Sequence, residues 1–121
     1  MKRGALAALA ALTLLGGCAK PIPAEDRELV GTWEAPGMRL SITADGSLAY
    51  ERNKAGGNVS IDAPIQQIRP DGFTAGVGPL TTDFKLERAP HAEQGAWTMT
   101  VDGVVLTRRA GTGPAPVEVE R

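Results

Sequence analysis

The residues of this chain whose types suit chemistry are few and scattered. His91 is the only histidine, with Glu93 two residues on, in a Pro-flanked stretch. A metal centre needs several convergent ligands, and no second histidine and no nearby cysteine supplies them. Ser41, Ser47 and Ser60 carry hydroxyls, but none stands in a Gly-x-Ser-x-Gly context and none is spaced from His91 as a triad requires. Asp62 and Asp83 could form an acid/base pair, yet both fall on the polar side of alternating segments. Gly56-Gly57-Asn58, with Lys54 beside it, and Gly76-Val77-Gly78 lack the strand-to-helix setting of a phosphate loop. The pattern predicts no catalytic residue, no metal site and no cofactor. It leaves one reactive group to explain, the lone thiol of Cys18.

The residues before that thiol explain it. Lys2 and Arg3 form a positive start, and Ala5 to Leu15 an apolar stretch too short to cross a bilayer as a helix. Small Gly16 and Gly17 then lead into Cys18. Leu15-Gly16-Gly17-Cys18 resembles the lipobox of bacterial lipoproteins. That resemblance implies removal of residues 1–17 and acylation of Cys18 as the first mature residue. It also implies that Ala19, which stands where an aspartate would retain the protein in the inner membrane, sends it to the periplasmic face of the outer membrane of a Gram-negative host. The expected partner is the lipid bilayer, through acylated Cys18. With one cysteine, no disulfide can form within the chain.

What remains after the signal suffices for one small domain. Residues 18–27 read as a tether, because Pro21 and Pro23 favour extended backbone. Residues 28–109 read as the folded part, and residues 110–121 as a disordered tail beginning with a Gly/Pro run. In that tail Val117-Glu118-Val119-Glu120-Arg121 alternates, with a weak edge strand as the other reading. Thirteen basic and fourteen acidic residues are interspersed, for a net charge of −1, which argues against a nucleic-acid partner. Five aromatics, Trp33, Tyr50, Phe73, Phe84 and Trp97, are too few for a carbohydrate platform.

Beyond the signal the hydrophobic period is two, not 3.6. Met38 to Thr43 and Leu48 to Arg52 alternate, joined by Ala44-Asp45-Gly46. Ile42 and Leu48 share a face only if they sit opposite each other, which makes this a three-residue loop with Gly46 in the left-handed region. Val59 to Ile65, Phe73 to Val77 and Thr82 to Leu86 follow, then a loop over Ala89 to Gly95. Trp97 to Val101 and Val104 to Arg108 flank an Asp102-Gly103 turn. A two-residue turn there sets Val101 opposite Val104 and Leu106 on the Trp97/Met99 face; the other register turns Val105 inward. The expectation is an all-β antiparallel meander of seven or eight strands, closing as a barrel or a two-sheet sandwich.

Gly31-Thr32-Trp33 resembles the Gly-x-Trp that opens lipocalin-type barrels, in which the tryptophan closes the floor. The stretch from Leu29 to Trp33 and that from Trp97 to Val104 together resemble small β-rich lipoproteins of proteobacteria, which supplies no site. Trp33 and Trp97 are expected in the core, and Gly46 in its turn, as structural residues. The functional expectation is a non-enzymatic, membrane-anchored periplasmic module that binds another protein, such as an envelope protein, or another envelope component. The alternatives are an inhibitor of an envelope-directed hydrolase, acting through Lys54 to Asn58 or Ala89 to Gly95, and a lipocalin-like binder of a small apolar ligand.

Overall fold

The computed structural model describes residues 19–114. Eight strands run β1 (Gly31–Ala35), β2 (Met38–Ile42), β3 (Ser47–Lys54), β4 (Gly57–Arg69), β5 (Gly72–Val77), β6 (Leu80–Glu93), β7 (Ala96–Val101) and β8 (Val104–Arg108). Each pairs antiparallel with its sequence neighbour, and β8 returns to β1, so the sheet closes as a barrel rather than a sandwich. The closing seam is short, with Trp33 opposite Arg108 and Glu34 opposite Thr107. Two bonds extend it: Arg109 N–H donates to Thr32 O at 2.7 Å, and Thr32 N–H donates to Thr112 Oγ1 at 3.0 Å.

Closing so small a barrel requires strands that bend. The long strands β4 and β6 do this through shifts of register, between Ile65 and Gln67 in β4 and on both sides of Arg88 in β6. Pro64 and Pro90 stand next to these irregularities, where a missing N–H leaves the ladder already broken. The stretch Ala89–Glu93, expected as loop, is therefore strand, and only Gln94-Gly95 turns the chain, both at positive φ. Asp102-Gly103 likewise has both central residues at positive φ, the arrangement that suits the twist of a two-residue hairpin. Val101 stands opposite Val104, Leu106 is fully buried, and Val105 is 60% exposed, which settles the last hairpin's register.

The β2–β3 loop follows the parity argument. Ile42 lies opposite Leu48, Thr43 N–H donates to Ser47 O at 3.0 Å, and Gly46 has φ 93°. The inward face is continuous: Trp33, Leu40, Ile42, Leu48, Phe73, Phe84, Met99, Val101 and Leu106 are each under 2% exposed. Phe84 stacks on Phe73 with centroids 5.3 Å apart and meets Tyr50 edge-on at 5.0 Å.

The expected tether behaves differently over its described residues. Ala24–Leu29 form a 3-10 turn that buries Leu29 against the core. Ile22 packs on the same cluster, and its N–H donates to Ala44 O at 2.9 Å. The two apolar side chains fold the segment back as a strap, and the flanking prolines lower the entropy lost in ordering it. At the other end Thr112 and Gly113 pack beside β1 and Arg108. The alternating stretch from Val117 lies outside the described residues.

Candidate functional site

The most organised polar group of the barrel was not among the residues singled out by sequence. Val104, Leu106 and Arg108 share one face of β8, so the alternation that buries Leu106 also turns Arg108 inward. Its guanidinium carbon lies 4.8 Å from the centre of the Trp33 ring and 5.0 Å from that of Trp97. Nη2 donates to Glu28 O at 2.6 Å and stands 3.4 Å from Glu28 Oε1, while Nε is buried with no partner among the described residues. Trp33 Nε1–H donates to Leu29 O at 2.9 Å. One cation thus ties the last strand to the first strand and to the strap's 3-10 turn. Trp33 is fully buried as expected. Trp97, expected in the core, is only half-buried: it forms one wall of the Arg108 slot instead.

His91 and Glu93 come together on β6 with Thr98 of β7. His91 Nδ1 lies 2.8 Å from Ala89 O, and Nε2 lies 3.2 Å from both Glu93 Oε1 and Thr98 Oγ1. Hydrogen bonds from His91, and then from Thr98, hold the Glu93 carboxyl below the usual carboxylate range. Activation of a hydroxyl needs the orienting carboxylate and the nucleophile at opposite ring nitrogens. Here both crowd Nε2, so the cluster serves to fasten β6 to β7.

The remaining candidates are dispersed. Ser41 Oγ bonds Thr32 Oγ1 at 3.0 Å, and Ser60 sits exposed on β4. Ser47 caps the β2–β3 loop, where its N–H and the Thr43 hydroxyl hydrogen-bond to Asp45. Thr43 first and Ser47 second hold the Asp45 carboxyl below the usual range. Asp62 stands opposite Ala49, whereas Asp83 accepts from Thr74 and lies 4.0 Å from Arg69, so the two carboxylates do not meet. Among the described residues no group of three or more His, Cys, Asp or Glu could hold a metal ion.

A polar groove of about 600 Å³ runs over β8, β1, β2 and β3, lined among others by Glu34, Arg39, Glu51, Asn53 and Arg109. Arg39 pairs with Glu34 at 3.3 Å. The groove holds both signs of charge and is open to solvent. Lys54 to Asn58 form the exposed tip of the β3–β4 hairpin. Cys18 and the apolar segment before it lie outside the described residues. No helix among the described residues is long and apolar enough to cross a membrane. Compared with protein-family models, curated proteins and solved structures, the chain matches none.

Proposed function

We propose that this chain is a lipid-anchored module of the bacterial envelope that acts by binding another protein through its outer surface. The observation that carries the binding half is the packed interior. Nine large inward side chains, from Trp33 to Leu106, are each under 2% exposed, which supports a filled interior over an internal ligand site. Recognition is left to the outside, where the polar groove and the β3–β4 tip present charged and amide groups. An envelope-directed hydrolase is one partner such a protruding tip would suit. The anchoring half rests on Leu15-Gly16-Gly17-Cys18. Three acyl chains would hold the protein far more firmly than the single chain that binds only reversibly. The strap adds to this reading: Lys20 is packed over Gly46, so Ala19 alone separates the docked chain from Cys18. Two residues span at most about 7 Å, which would keep the barrel against the bilayer rather than on a long leash.

Growth of an expressing Gram-negative host with labelled palmitate tests the anchor. The expected result is label on the wild-type protein, recovered with outer membranes, and none on Cys18→Ser, released into the soluble fraction. An unlabelled wild-type protein, or a Cys18→Ser variant that stays in washed membranes, would overturn it.

A further inference from the structure

The hairpins differ in reach. β3 and β4 pair continuously from Ser47↔Pro64 to Lys54↔Gly57, whereas β5 pairs with β4 only as far as Ile65↔Ala75 and its chain turns at Gly78-Pro79. Among the described residues, β4 from Gly57 to Ala63 therefore has a strand along one edge only. Parity fixes which groups face the open edge. The two-residue turn Ala55-Gly56 makes Lys54/Gly57 a hydrogen-bonded pair, so Val59, Ile61 and Ala63 also direct their N–H and C=O groups toward β3. The bond from Ile65 N–H to Gly46 O, at 2.8 Å, continues that series. Asn58, Ser60 and Asp62 are left with backbone donors and acceptors pointing away from the barrel's own sheet. Pro64, the next residue of that parity, has no N–H and ends the edge.

Such an edge is ordinarily blunted by lysine, proline or a bulge. From Gly57 to Ala63 it carries none of these, and Asp62 is its single charge. We propose that two copies of the chain join along this edge, in an antiparallel β4–β4 pair with Ser60 on the two-fold axis. The side chains are self-complementary in that register. On the outer face Asn58 comes opposite Asp62 of the second copy, an amide donor facing a carboxylate, and Ser60 meets its own equivalent. Asp62 never faces Asp62. On the other face Val59, 37% exposed, and half-buried Ile61 come opposite Ile61 and Val59 of the second copy. Those are the non-hydrogen-bonded positions, where side chains approach most closely. A two-fold axis along the bilayer normal would put both Cys18 residues at equal depth, so the pairing is compatible with anchoring and does not require it.

The test is a cross-link at the axis, made in the full chain with and without Cys18→Ser. Paired residues at a hydrogen-bonded position lie about 5.5 Å apart at Cα, within disulfide range. Ser60→Cys is expected to give, on mild oxidation, a disulfide-linked species of twice the protomer mass. Val105→Cys, likewise exposed but on β8, four strands away around the barrel, is expected to stay unlinked. Ser60→Pro, which removes an outward N–H and leaves the β3 ladder intact, is expected to remain folded by circular dichroism. It should then elute as a monomer at a concentration where the parent chain elutes as a dimer. A parent chain monomeric at tens of micromolar, a Ser60→Cys thiol that links no more than Val105→Cys, or an adduct of another mass would each overturn the proposal. The Cys18→Ser background has no thiol to acylate and none to compete with that of Ser60→Cys, so failure of the anchor and failure of the dimer read out separately.

Discussion

Arg108 shows how a single cation can do structural work that apolar packing cannot. Its side chain is 10% exposed and sits between two indole faces, and its carboxylate partner Glu28 remains half in solvent. Burial of a charge is tolerated only where hydrogen bonds and counter-charges replace water. Here the Glu28 carbonyl, its carboxylate and two ring faces do so for the Nη2 side of the fork, while Nε goes without. Lysine has no planar fork to lie between rings, so Arg108→Lys is not a conservative change. We expect Arg108→Lys to cost about 2 kcal/mol, near the worth of a hydrogen bond to a charged group. Trp33→Ala should cost about 3–5 kcal/mol, as for other buried aromatics, and Trp97→Ala less than the lower end of that range. Denaturant midpoints of the three variants check this order. A Trp97→Ala variant as damaged as Trp33→Ala would mean that the slot, not the core, carries the stability of this end.

At the scale of elements, the β2–β3 loop and the strap form one unit. Gly46 is at positive φ, which by itself makes alanine unfavourable by roughly 1 kcal/mol and asparagine the mildest substitute. The strap changes that ranking. A Cβ on Gly46 would run into the backbone carbonyl of Lys20, so any side chain there must displace the strap whatever its own backbone preference. Gly46→Asn is therefore expected to lose about as much as Gly46→Ala. Both should abolish the hydrogen-exchange protection of the Ile22 amide, which is bonded to Ala44 O. An asparagine variant with near-parental stability and a protected Ile22 amide would show that the strap yields without cost. The loop's length and register were legible from the parity of Ile42 and Leu48. The strap was not, because two apolar residues separated by one proline and a run of charges carry no period, and only the folded barrel supplies the surface they cover. Arg108 was legible in principle. Its parity with Leu106 in the expected strand Val104 to Arg108 puts it inside, but inward-facing charges are rare enough that alternation alone singles out Leu106 and not Arg108.

At the scale of the whole molecule, alternation predicts strands but not how they close. A barrel and a sandwich bury the same alternate residues, and the choice here was made by bends in β4 and β6 and by the seam from Trp33 to Arg108. The eight-strand up-and-down order is one that lipocalins use to hold a small ligand. Size decides whether this barrel can do the same. A pocket for a drug-sized molecule needs about 300 Å³ or more, and emptying that volume would mean moving several of the side chains now under 2% exposed. Trp33 offers a direct reporter, being fully buried at the barrel's end and in the same cluster as Phe73, Phe84 and Met99. An apolar ligand lodged among those residues would lie close enough to quench or accept its emission. Titration of the folded protein with a fluorescent polyene fatty acid is therefore expected to give neither saturable binding nor transfer from tryptophan. Saturable micromolar binding accompanied by loss of Trp33 emission, and abolished by filling the interior further with Ala75→Leu, would show that the barrel opens to a ligand after all.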